Sequence, residues 1–95
     1  MADRIVVVGV IGGATAVDHD PVHVCRHEGD QVVWRGVQNF DIDFGALTPF
    51  AQATFHGGPR RPAQSGPVVG AFGRYKYTVQ VVGAAPFDPS VDTDP

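Results

Sequence analysis

The chain has 95 residues, 43% of them hydrophobic and 18% charged, and a net charge of −3. That is the length of one domain, residues 1–95, and a chain of this size buries about 60–65% of its unfolded surface without staples. A single cysteine, Cys25, excludes a disulfide framework; the acidic balance excludes the basic field that nucleic acid requires; and no apolar run reaches the ~20 residues of a membrane helix.

Arg4 to Val10 reads as a strand buried on both faces, or as an edge strand covered by a loop. Residues 1–16 also mimic an export signal: Arg4, the run IVVVGVIGGA, then Ala14-Thr15-Ala16 as an A-x-A cleavage site. Asp3 offsets Arg4, the run is β-branched, and glycines interrupt it, so the strand reading leads and a cytoplasmic location is expected. VVVGVIGG lacks the G-x-G-x-x-G spacing of a dinucleotide-binding turn, and no helical pattern follows it. Asp18 to Pro21 is a turn. Val22 to His27 alternates, with Val22 and Val24 on one face and His23, Cys25 and His27 on the other. Glu28-Gly29-Asp30 turns the chain into a strand, Gln31 to Arg35, that points Val32 and Trp34 inward.

Phe40, Ile42 and Phe44 then alternate with Asp41 and Asp43, the cleanest period-2 segment of the chain. Gly45 to Gly66 is long and weakly patterned; Phe50 and Phe55 anchor it, with a short strand around Gln52 to His56. Another short strand is expected within Pro67 to Phe72. In Tyr75 to Val82 the residues Tyr75, Tyr77, Val79 and Val81 face inward. A short last segment runs from Phe87 through Val91, and the acidic tail DTDP is expected to fray. Twelve glycines and eight prolines suit frequent turns, and abundant Val suits pleated strands. About seven strands separated by turns predict an all-β Greek-key β-sandwich.

The pattern of Pro21, seven residues, Gly29-Asp30, alternation to Trp34, an F-x-I-x-F strand and a late Y-x-Y-x-V resembles the cupredoxin fold from Pro21 to Val91. Copper-binding members of that family place a His on the strand after the aromatic residue, then a Cys, a second His and usually a Met around the last loop. The resemblance puts those positions at Phe40, at or near Val79, near Val82 and near Phe87. None of these can ligate a metal, and the chain's one methionine is Met1. The resemblance thus implies a cupredoxin-like domain without the type-1 copper site, its ligand positions filled by apolar groups.

His23, Cys25 and His27 form an H-x-C-x-H set, with His19 close by, and these types suit copper or zinc. The plain alternative is a polar strand face with a half-buried thiol. Cys25 on a flat strand has no helix N-terminus or oxyanion donors, so no enzyme is expected. The aspartates show no D-x-D-x-D-G calcium loop and read as outward charges that keep strands apart. Trp34, Phe40, Phe44, Tyr75 and Tyr77 read as core rather than a ligand platform. His56-Gly57-Gly58-Pro59-Arg60-Arg61-Pro62 reads as a rigid basic loop, with His56, Arg60 and Arg61 as contacts for an acidic surface on a protein partner. The expected function is a metal-free, non-catalytic interaction or accessory module with no cofactor. The alternative is a copper or zinc protein using His19, His23, Cys25 and His27.

Overall fold

In a computed structural model of the protein, which describes residues 2–95, every regular element is a strand. Met1 lies outside the described residues. The first strand, β1 (Asp3–Ile11), buries Val6 and Val8 and exposes Ile5, Val7 and Ile11. The apolar run is therefore buried on one face, not both, and it is not an edge. Gly12 and Gly13, both at positive φ, turn the chain back into β2 (Ala14–Val17), antiparallel to β1. That two-glycine turn matches strand twist at no steric cost. Ala14-Thr15-Ala16 lies within β2, and the buried Thr15 hydroxyl accepts a hydrogen bond from the Val81 N–H at 3.0 Å.

The remaining strands are β3 (Val22–Cys25), β4 (Gln31–Gly36), β5 (Phe40–Asp43), β6 (Thr54–Gly57), β7 (Ala63–Gln64), β8 (Gly73–Lys76), β9 (Thr78–Val81) and β10 (Ser90–Asp94). They form three sheets, ordered β2-β1-β4-β7, β3-β10-β8 and β6-β5-β9. The all-β expectation holds, with ten strands rather than about seven. The alternation from Tyr75 to Val81 is present, but it spans two strands in two sheets: β8 pairs with β10, and β9 with β5. Tyr77 sits buried at the changeover, its N–H held by the Pro89 carbonyl at 3.0 Å. Corners of this kind let one continuous segment seal two layers.

Two further expectations fail. Pro67 to Phe72 forms no strand; the N–H groups of Val69 and Gly70 both donate to the Pro49 carbonyl, at 2.8 and 3.0 Å, and Val68 is buried as an anchor. The acidic tail does not fray either. Asp92, Thr93 and Asp94 belong to β10, the middle strand of its sheet, where Thr93 is buried and Asp92 accepts two bonds from the Arg74 guanidinium at 2.8 and 2.9 Å.

The sheets close on Trp34, fully buried, with the rings of Phe44, Phe50, Phe55 and Tyr77 all 5.5 to 6.4 Å from it. Trp34 Nε1–H donates to the Tyr77 hydroxyl at 3.1 Å, so the indole's single donor is satisfied inside the core. Burial pushes the Tyr77 phenol well above its ordinary pKa. Below this core, Asp30 is fully buried, at the exit of the Gly29 turn. Its carboxylate accepts the N–H of Cys25 at 2.9 Å, the N–H of Ala2 at 3.0 Å and the Arg4 guanidinium at 3.2 and 3.3 Å. One side chain thus joins the starts of β1 and β4 to the end of β3.

Candidate interaction groove

The basic loop is a tight hairpin between β6 and β7. Gly58 and Arg61 exchange main-chain bonds, the Gly58 N–H to the Arg61 carbonyl at 2.8 Å and the reverse at 3.2 Å, closing a two-residue turn at Pro59-Arg60. Pro59 pre-sets its own φ for such a turn, and Pro62 just past it has no N–H to extend the pairing. The hairpin therefore opens at once. β6 continues into the sheet with β5, and β7 into the sheet with β4.

Between the diverging strands lies an open groove of about 1130 Å³. Phe40, Phe55 and Ala63 contribute to its floor, and His56, Arg60 and Arg61 to its rim. The floor depends on two absent side chains. A Cβ on Gly57 would sit 2.9 Å from both Cε atoms of Phe40, and one on Gly36 would sit 3.1 Å from Cε2 of the same ring. At Gly57 a side chain would displace the ring, and at Gly36 it would press against it.

On the rim, His56 Nδ1 lies 2.5 Å from Asp41 Oδ1, and these two residues are directly opposed in the β5–β6 ladder. Arg60 and Arg61 are exposed, and among the described residues neither forms an ion pair with the chain's own carboxylates. A molecule of net charge −3 thus presents two unneutralised guanidiniums on one tightly turned hairpin. His56, Arg60 and Arg61 all line this one groove. The structure adds Gln52, Thr54 and Gln64 to the lining, which carry no sequence signal because only the opening of the hairpin places them there.

The His/Cys set is arranged differently. His23 and Cys25 share one face of β3, but His27 has passed into the turn and His19 into the turn before β3. His19 Nδ1 pairs with Asp18 at 2.9 Å, His23 Nδ1 with Asp94 at 3.4 Å, and the Cys25 thiol donates to the Pro95 carbonyl oxygen at 2.9 Å. Among the described residues, no three His, Cys, Asp or Glu side chains converge as a metal-holding group. Of the four apolar positions expected to fill a copper pocket, Phe40 and Val79 are buried in the core. Val82 and Phe87 are not fillers: Val82 is 68% exposed because it follows the inward Val81 and turns to the outer face, its N–H still bonded to the Asn39 carbonyl at 3.0 Å, and Phe87, 39% exposed, returns alongside β9.

No protein-family model, curated protein or solved structure matches this chain. Fold and groove together define an all-β, sandwich-like chain with a positively rimmed open groove.

Proposed function

We propose that the protein is a metal-free, non-catalytic Greek-key domain of cupredoxin-like type that works in the cytoplasm as an interaction or accessory module, docking a protein partner through His56, Arg60 and Arg61. The observation that carries this reading is the pair of unneutralised arginines on a closed turn beside an open groove. Loops held by a stiff scaffold commonly carry recognition, because their geometry costs little ordering entropy on binding. The burial of Phe40 and Val79 supports the metal-free part, since hydrocarbon there offers a metal no donor atom.

Affinity capture from the native cell tests the reading. The wild-type chain is expected to retain a discrete partner that the R60A/R61A chain, equally folded by circular dichroism, releases. Equal retention by both chains removes the hairpin from the function. Elemental analysis of the same preparation is expected to find no stoichiometric copper or zinc; either metal at one per chain would restore the His19, His23, Cys25 and His27 alternative.

A further inference from the structure

We propose that the free edge of β6 is a strand-addition site for an extended acidic segment of a partner protein. This rests on the interaction reading above and names the chemistry and pairing mode of the partner.

The hydrogen-bond alternation along β6 identifies the free groups. The Phe44 N–H donates to the Ala53 carbonyl at 2.7 Å, in register with the β5–β6 ladder. Bonded pairs recur every second residue in an antiparallel ladder. Phe55 and Gly57 therefore bond toward β5, and the main-chain N–H and C=O of Thr54 and His56 point away from it, toward the groove. Among the described residues, no backbone bond reaches those groups from the groove side. The facing wall is built alike. The Ser65 N–H donates to the Val32 carbonyl at 3.0 Å, so Ala63 bonds toward β4 and Gln64 turns its main chain away from it.

A strand edge left open is a template for another chain unless something blunts it. Two other edges are covered by the returning chain. Thr15 N–H on β2 donates to the Ala85 carbonyl at 2.9 Å, and Val79 on β9 exchanges two bonds with Phe87, both 2.9 Å. The edge strand β8 carries Arg74 and Lys76. By contrast, β6 reads TFHG, with neither proline nor lysine to blunt it.

Charge selects the occupant. Arg60 and Arg61 stand side by side at the closed end of the groove, and the one carboxylate in its lining, Asp41, is engaged by His56, so the groove favours an acidic segment. In an added strand, alternate residues would face the Phe40 and Phe55 floor while the others face the His56 and arginine rim. The segment that fits alternates apolar and acidic residues.

The test uses the full chain and a blocked peptide of alternating valine and glutamate, followed by amide NMR and titration. Binding is expected, with slowed exchange at the Thr54 and His56 amides. R60A/R61A should weaken it by about tenfold. A peptide of the same composition, N-methylated on its pairing edge, should fail to bind. If the methylated peptide binds equally well and R60A/R61A still weakens it, strand addition is overturned while the arginine docking face stands. If the parent peptide binds and R60A/R61A leaves its affinity unchanged, the docking face itself is overturned. No binding at millimolar peptide overturns the strand-addition proposal. A peptide-free dimer with protected Thr54 and His56 amides would also overturn it, by giving the edge to a second copy of the chain.

Discussion

At the scale of single residues, Asp30 carries more of the structure than its place in a turn suggests. A fully buried carboxylate is costly unless its charge is answered. Here the Cys25 N–H first, then the Ala2 N–H and the Arg4 guanidinium, answer it and hold its pKa below the usual carboxylate range. Replacing it by Asn keeps the shape but turns an amide NH₂ toward one set of donors. D30N is expected to cost about 1–3 kcal/mol in urea denaturation. The loss should depend on pH in one direction. A depressed folded pKa stabilises the native state above the unfolded value of about 3.9, and that stabilisation fades as pH falls through the lower folded value. The gap between wild type and D30N should therefore narrow from about pH 6 to about pH 3. Asp92, whose pKa the Arg74 guanidinium also lowers, is present in both proteins and cancels in the difference. A gap independent of pH would mean that Asp30 contributes shape and not charge.

At the scale of elements, β10 shows where a sequence reading loses its grip. DTDP has the composition of a loose tail, yet it completes the central strand of a sheet. Its carboxylates are satisfied laterally: Asp92 by Arg74 on β8, Asp94 by His23 on β3. Both partners are far away in the chain, so no local pattern announces them. Hydrogen exchange should find the Asp92 and Thr93 amides among the protected set, one bonding toward β3 and the other toward β8. Exchange at the rate of a free terminus would contradict the strand. Phe40 to Phe44 and Tyr75 to Val81 were legible because half-buried strands must alternate. β2 was hidden because Ala-Thr-Ala is small enough to serve as strand or cleavage site, and its one buried side chain, Thr15, is polar. Pro67 to Phe72 misled because Val68 anchors a loop as well as it would a strand. The candidate groove was half legible. Arg60 and Arg61 in a Gly/Pro setting announce an exposed basic turn, but the free edge of β6 follows from which way carbonyls point, and side chains do not encode that.

At the scale of the molecule, three short sheets would be three weak objects if each stood alone, since small separate sheets are marginal in water. They are joined by elements that belong to two sheets at once. Tyr77 sits where β8 passes into β9, linking the second sheet to the third, and its hydroxyl accepts the Trp34 indole N–H of the first. Thr15 on β2 holds the Val81 N–H on β9, and Asp30 ties β3 to the strands β1 and β4. Loosening any one sheet leaves a buried hydrogen-bonding group of another without its partner, at about 1–3 kcal/mol for each group so stranded. Partial unfolding is therefore disfavoured, and the chain should melt as one unit. Trp34 fluorescence reports the aromatic centre, and far-ultraviolet circular dichroism reports all ten strands. The two urea transitions are expected to coincide, with a slope of about 1–3 kcal/mol/M. A dichroism transition that precedes the fluorescence change would show that strands come away while Trp34 stays packed, and the bonds between the sheets would then be too weak to couple them.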